Sequence, residues 1–338
     1  MRARELGITI GEESPGRRNA ITDVDGVVVG HSTLIEGEAV RTGVTVVVPP
    51  ETPLFAGCHR LNGNGELTGL EWVRESGLLT TPIGITNTFS VGGVRDAIAA
   101  RSADDDAWSL PVVGETFDGF LNDIRGRHVQ DEHVEAAFAA ASADVEEGNV
   151  GGGTGMICHE FKAGIGTASR TVGQHVVGVL VQANYGRRER FRVNGEPVGE
   201  LIGDRVPKPT SGADTGSIIG IAATDAPLLP HQCDRLAQRI GLGVARMGGT
   251  AAHTSGDLFF AFATGNRGLD AAQGEIALRM LSDGEITPFY AAVIDATEEA
   301  ILNALLAAET MTGRDGNTAY ALPPELLSEV LSPVGTGV

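Results

Sequence analysis

The sequence is poor in cysteine, poor in positive charge and free of long apolar runs, and each shortage removes a class of protein. Three cysteines, Cys58, Cys158 and Cys233, are scattered through 338 residues. An odd, sparse set of this kind builds no disulfide framework, and the three form no CxxC pair and no Cys/His zinc spacing. Lys and Arg number 25 against 44 Asp and Glu, a formal net charge of −19. Such a surface repels nucleic-acid phosphates and anionic lipid, so neither nucleic acid nor membrane is an expected partner. The simplest source of the charge is a solvated acidic surface, and Asp104-Asp105-Asp106 reads as an exposed loop rather than a metal site. No apolar run approaches the ~20 residues of a membrane span. The opening Met1-Arg2-Ala3-Arg4-Glu5-Leu6 leads into no apolar segment of the kind a secretory signal carries. The expected location is the cytoplasm.

Familiar catalytic and nucleotide-binding signatures are missing too. Gly151-Gly152-Gly153-Thr154-Gly155 is the nearest approach to a phosphate loop. It lacks the Gly-Lys-Ser/Thr ending and the GxGxxG spacing, so close backbone packing explains it better than a nucleotide. The eight histidines form no HExxH pair. His253, the one nearest a motif of interest, reads as a packed or hydrogen-bonded side chain. No GxSxG elbow supports a Ser-His-Asp triad, although triads assemble in space rather than in sequence.

What is present is a chain with 47 glycines, 15 prolines and 42% hydrophobic residues, enough for a full core with many tight turns. Short apolar runs at 27–30, 44–48, 83–86, 175–181, 217–223 and 258–263 predict buried strands. Helical periodicity marks 66–79, 131–147, 225–247 and 288–309. In the third of these, Asp225 is the expected N-cap and Leu236, Ile240, Val244 and Met247 share one face. The alternation is too irregular for a simple doubly wound sheet, so an α/β protein with helices layered on a sheet core is expected. No repeat of fixed period is evident. Residues 187–216 are polar and end in Pro207-Lys208-Pro209-Thr210-Ser211-Gly212-Ala213, which predicts a flexible linker without helix or strand.

That linker delivers the chain to its most informative point, Asp214-Thr215-Gly216-Ser217-Ile218-Ile219. A serine opening a buried strand directly after a mobile glycine is poorly explained by packing. It is well explained by cleavage of the Gly216–Ser217 bond by the protein itself. Ser217 then carries a hydroxyl and a free α-amine, nucleophile and base in one residue. Two other places fit such chemistry. Asn184, at the end of the run 175–181, is a turn-former before Gly186 or an amide donor to a developing oxyanion. Ser255 and Asp257, at i and i+2 of an extended chain, project to one side, either capping a strand or holding an amine.

With these residues in place the chain resembles the self-processing L-aminopeptidase/D-amidase/D-esterase family, which includes the β-peptidyl aminopeptidases. The resemblance runs over nearly the whole chain. Its landmarks are Asn19-Ala20-Ile21-Thr22-Asp23-Val24, Val29-Gly30-His31 and Gly63-Asn64-Gly65-Glu66-Leu67-Thr68-Gly69. Asp118-Gly119-Phe120-Leu121-Asn122-Asp123, Gly153-Thr154-Gly155-Met156 and Gly164-Ile165-Gly166-Thr167 follow, then Val181-Gln182-Ala183-Asn184 and the junction. The resemblance implies one domain over 1–338, a four-layer αββα sandwich. Its layers are similar to those of the N-terminal-nucleophile hydrolases, with different strand connectivity. It implies cleavage into an α chain of residues 1–216 and a β chain of residues 217–338, assembled as a homotetramer of α/β heterodimers. It makes Ser217 the nucleophile and Asn184 the oxyanion donor, with Ser255 and Asp257 as serine and acidic partner. Phe117 and Phe120 are the candidates for an aromatic pocket position. The sequence departs from the family pattern at Asp257, where some members carry glutamate, and at Ala163, where glycine is expected. The implied activity is release of an N-terminal residue from a short peptide, amide or ester with a free amine, without metal or organic cofactor. The alternatives are an acyltransferase of related fold, similar to the ornithine acetyltransferases, and a non-enzymatic amine-binding relative.

Overall fold

The computed structural model describes residues 1–101, 109–209, 216–270 and 274–332. In chain order the strands are β1 (Val28–Glu36), β2 (Val40–Val48), β3 (Leu54–Gly63), β4 (Leu78–Leu79), β5 (Ile83–Asn87), β6 (Val112–Thr116) and β7 (Ile157–Cys158). They continue as β8 (Phe161–Lys162), β9 (Ile165–Val172), β10 (His175–Asn184), β11 (Ser217–Thr224), β12 (Gly256–Ala263), β13 (Met311–Thr312) and β14 (Thr318–Ala319). The helices are α1 (Leu70–Ser76), α2 (Val91–Ala100), α3 (Asp131–Ala139), α4 (Val198–Ile202), α5 (Pro230–Arg246), α6 (Thr287–Leu306) and α7 (Pro324–Leu331).

Two sheets carry the fold, one of order β1-β2-β5-β6 and one of order β4-β3-β12-β11-β10-β9. Their inner faces meet in an apolar layer that includes Val29, Val47, Ile83, Ile85, Leu180, Ile219, Ile221, Phe260 and Phe262. Helices α2 and α3 cover the outer face of the first sheet through Val91, Val94, Ile98 and Val134 against Val44, Val46 and Val113. Helices α5 and α6 cover the second through Leu236, Ile240, Val244, Ala296 and Ala300. Helix, sheet, sheet, helix is the expected four-layer order. Among the described residues no helix is long and apolar enough to cross a membrane.

Strand β11 lies centrally, antiparallel to β10 and parallel to β12. Parallel neighbours need a crossover, and the amphipathic helix α5 supplies it. All eight residues of β11 are buried, which is why its sequence is a continuous apolar run rather than an alternating one.

Several expected boundaries move, for tertiary reasons. The helix expected from 225 starts at Pro230. Leu229 precedes a proline and is held extended. Asp225 is not its N-cap; it accepts the Val176 N–H at 2.8 Å and lies 3.2 Å from His175 Nδ1. The helix expected over 131–147 ends at Ala139, because Ser142 and Val29 exchange backbone hydrogen bonds of 3.0 Å that draw the chain onto the first sheet. The helix expected over 66–79 shrinks to α1, bounded on both sides by left-handed glycines, Gly69 and Gly77. The linker expectation fails for residues 187–209. Phe191, Val193, Val198, Ile202 and Val206 enter the core, α4 forms, and the Arg188 guanidinium lies 4.0 Å over the Phe161 ring. Residues 210–215 and the Asp104-Asp105-Asp106 run lie outside the described residues. The glycines of 151–153 are packed against backbone, as expected: a Cβ on Gly152 would come within 2.6 Å of Ile85 O.

Phe260 is fully buried between the sheets, whereas Leu242 is 54% exposed on α5. Phe260→Ala should cost about 3–5 kcal/mol and Leu242→Ala less than ~0.5 kcal/mol. Denaturant midpoints of the two variants check the layer assignment, and similar costs would contradict it.

Candidate active site

Strand pairing places Asn184 opposite Ser217, Ser217 opposite Gly256, and Gly256 opposite Gly63, one row across the end of the second sheet. Neighbours in such a row are about 4.8 Å apart. Alternation along each strand then decides which way each side chain points. Ile219 and Ile221 face the inter-sheet layer while Ile218 and Ala222 face the helices. Ser217, two residues before Ile219, therefore shares the inter-sheet face. Asn184 does the same, because Gln182, two residues earlier, reaches Thr86 O at 2.9 Å and Thr116 Oγ1 at 2.8 Å on the opposing sheet. Asp257, two residues before Phe259, faces the helices.

The four sequence-derived residues are thus gathered at one strand end but divided between two faces. On the inter-sheet face the Asn184 amide is fixed at both ends. Its Nδ2 donates to Phe117 O at 3.0 Å and its Oδ1 accepts the Ile157 N–H at 2.9 Å. An amide nitrogen carries two hydrogens, so one remains to donate. On the helix face Ser255 Oγ donates to Asp257 Oδ1 at 2.6 Å. Both line a narrow cleft with Tyr185, Gly216, Val244 and Thr250. The loop before β12 is held from β3, where Asn62 Nδ2 donates to Ala252 O at 2.6 Å and Ser255 O at 2.7 Å.

Ser217 Oγ, Asp257 Oδ2 and Tyr185 Oη are buried and have no hydrogen-bond partner among the described residues. Each such atom costs about 1–3 kcal/mol, a penalty that packing does not require at a strand end. Burial pushes the Asp257 carboxyl up to about 6, the Ser255 hydrogen bond opposing it. The Gly216 carbonyl accepts the Gly256 N–H at 3.3 Å. A Cβ at Gly216 would lie 2.8 Å from Tyr185 Cα and 2.9 Å from Asn184 O, so only glycine fits before Ser217.

Of the aromatic candidates, Phe117 adjoins the site: its carbonyl holds Asn184 while its side chain is exposed. Phe120 is carried past the site by the turn that Asp118 O makes with the N–H groups of Leu121 and Asn122. It packs instead on a satellite cluster with Leu121, Met311 and Ala319. His253 is exposed on a turn, not packed.

Sequence reasoning missed Glu115. This carboxylate, buried on β6, accepts the Glu66 N–H at 3.0 Å and the Thr88 hydroxyl, and burial raises its pKa. A methyl on Gly65 would touch both Glu115 Oε1, at 3.0 Å, and Gly256 Cα, at 3.1 Å. Glu115 thus reaches the strand end beside Ser217 from the opposing sheet. The available signal was a carboxylate inside the apolar run Pro111-Val112-Val113-Gly114-Glu115-Thr116, since a buried polar group is what packing does not explain.

Comparison with known proteins gives a consistent picture. The description Peptidase family S58 matches residues 19–319. A β-peptidyl aminopeptidase of Sphingosinicella microcystinivorans is 46% identical, over 98% of this chain and 91% of its own. The solved structure of a Burkholderia sp. β-aminopeptidase superposes with a TM-score of 0.94 at 53% identity, covering 99% of each chain. That of an L-aminopeptidase D-Ala-esterase/amidase from Ochrobactrum anthropi gives 0.91 at 42% identity over 98% of each. The latter is described as a prototype for the serine aminopeptidases and a new variant among the Ntn hydrolase fold.

The raised Asp257 pKa has a consequence for stability. The folded carboxyl keeps its proton up to about pH 6, whereas an unfolded aspartate loses it near 3.9. The folded state binds more protons across that window, so stability falls as pH rises through it. In a Ser217→Ala background, Asp257→Asn should be near neutral at pH 4 and stabilising by about 2 kcal/mol at pH 8. Urea midpoints at the two pH values measure this, and an equal effect at both would refute it.

Proposed function

The chain belongs to peptidase family S58, and from that membership we propose that it is a self-processing serine aminopeptidase and amidase with Ser217 as nucleophile. The observation that carries this reading is the division of the site around the Gly216–Ser217 bond. The Ser217 hydroxyl shares a face with Asn184, while Gly216 borders the cleft of Asp257 and Ser255. Cutting that bond leaves the hydroxyl beside the amide donor and the new α-amine beside the carboxylate.

In the precursor, Ser217 Oγ attacks the Gly216 carbonyl carbon and the Gly256 N–H supports the developing oxyanion. The acyl group moves from nitrogen to oxygen, water hydrolyses the ester, and the α-amine is freed. Gly216 permits the approach because it carries no Cβ against Tyr185 and Asn184. The products are an α chain of 1–216 and a β chain of 217–338, which remain one four-layer domain.

In the mature enzyme the α-amine acts as general base. Its ordinary pKa of ~7.7–8.0 suits proton transfer at neutral pH, and Asp257 with Ser255 orients it. Ser217 Oγ attacks the substrate carbonyl, and the free Nδ2 hydrogen of Asn184 stabilises the oxyanion. The proton passes to the departing amine, and water releases the acyl group from Ser217. Glu115, on the hydroxyl face, anchors the substrate's ammonium, which restricts attack to N-terminal residues. Short peptides, amides and esters with a free amine are the substrates of this reading. The names of the relatives at 46% and 53% identity extend it to β-amino acyl groups.

Intact-mass analysis should show chains of 216 and 122 residues, since 338 − 216 = 122, and one uncut chain for Ser217→Ala. Asn184→Ala should lower kcat on an aminoacyl p-nitroanilide by about 10²–10³, and the N-acetylated substrate should be inert. A wild-type chain that stays whole, or that cleaves acetylated and free substrates alike, would sink this reading.

A further inference from the structure

Lysine is scarce in this chain. Positions 162 and 208 hold the only two, against 23 arginines (25 − 2 = 23), and Lys162 is completely buried. It lies on β8, outside the row of residues that the mechanism uses. Its Nζ donates to Met156 O at 2.9 Å and Ala163 O at 2.7 Å. Two donors suffice for two carbonyls, and a lysine supplies them whether its nitrogen is charged or neutral. Burial lowers its pKa well below the ordinary value, and the nearby charge of Asp118 opposes this. Asp118 is itself buried. Its Oδ1 accepts Asn122 Nδ2 at 3.0 Å, and its Oδ2 has no hydrogen-bond partner among the described residues.

The chain neighbours of these two groups give them a role. Met156, whose carbonyl Lys162 holds, precedes Ile157, whose N–H donates to Asn184 Oδ1. Ala163, the other carbonyl held, precedes Gly164, whose carbonyl accepts the N–H of Ala183, next to Asn184. Asp118 follows Phe117, whose carbonyl accepts Asn184 Nδ2. The Ile157 N–H that fixes Asn184 Oδ1 thus follows a carbonyl held by Lys162, and the Phe117 carbonyl that fixes Asn184 Nδ2 precedes Asp118.

We propose that Lys162 is a positioning residue for Asn184: by holding the Met156 and Ala163 carbonyls it clamps the 156–163 turn so that Ile157 N–H fixes the amide and aims its free hydrogen at the oxyanion. An arginine is no isosteric replacement, because its guanidinium is a planar group larger than the compact ammonium that these two carbonyls enclose. The proposal rests on the oxyanion role given to Asn184 above.

The test compares Lys162→Met, Lys162→Arg and Asp118→Asn with wild type, each alone and combined with Asn184→Ala. Rates are expressed per titrated active site, and thermal midpoints are recorded. Lys162→Met and Lys162→Arg should lower kcat about 10- to 100-fold with KM within about twofold. Asp118→Asn should act in the same direction, and it keeps the side-chain shape if the lysine variants fail to fold. On the Asn184→Ala background the losses should vanish, because both changes act through one group. Losses that add to that of Asn184→Ala, or a wild-type kcat, would overturn the proposal. If the wild-type protein has no aminopeptidase activity, the functional reading falls and a crystal structure of Lys162→Met decides the clamp. Displacement of the Asn184 amide from Ile157 supports it, and contacts kept at 2.9 and 3.0 Å overturn it.

Discussion

The structure depends on β11 lying in the middle of a sheet that is covered on both faces. A central strand satisfies its backbone with neighbours on both sides and sends alternate side chains into two different layers. Its first residue inherits that geometry. The Ser217 side chain belongs to the inter-sheet face, its amide nitrogen faces back along the chain, and neither can be moved without slipping the strand. A one-residue slip would exchange Ile219 and Ile221 with Ile218 and Ala222 between two packed cores. The geometry at the strand end is therefore held by apolar burial elsewhere along the same strand.

Around that strand end, space is set by glycine. Gly216, Gly256 and Gly65 lie where a Cβ would meet backbone atoms at 3.1 Å or closer. The crowding brings two carboxylates, Asp257 and Glu115, to opposite faces of one serine. Both are buried and both have raised pKa values, so the fold tolerates them at a cost. The cost is borne by the large apolar layers, and it marks the place where packing alone does not account for the residues chosen.

The buried polar groups extend this pattern inward. Gln182, Thr116, Asn184, Lys162 and Asp118 link the ends of β10 and β6 to the 156–163 turn through hydrogen bonds and charge. A network of this kind fixes orientations that dispersion contacts leave free. It accounts for an amide at a strand end with both of its polar atoms committed to backbone partners.

Much of this was legible in the sequence. The apolar runs predicted the strands, the amphipathic stretches predicted α5 and α6, and the Gly216-Ser217 junction, Asn184 and the Ser255/Asp257 pair were recognisable as residues that packing does not require. These are local properties, set by periodicity and by the chemistry of single side chains. Helix ends, the packed course of residues 187–209, the diversion of Phe120 and the approach of Glu115 were not legible. They arise where distant segments meet: Val29 with Ser142, Phe191 with the core, β6 with Gly65. The sequence by itself determined most of the strands and marked Ser217, Asn184, Ser255 and Asp257 as residues that packing does not require. Only the tertiary structure decided that hydroxyl and carboxylate fall on opposite faces of β11, because that division follows from strand register, and register is set by two cores that no local stretch of sequence contains.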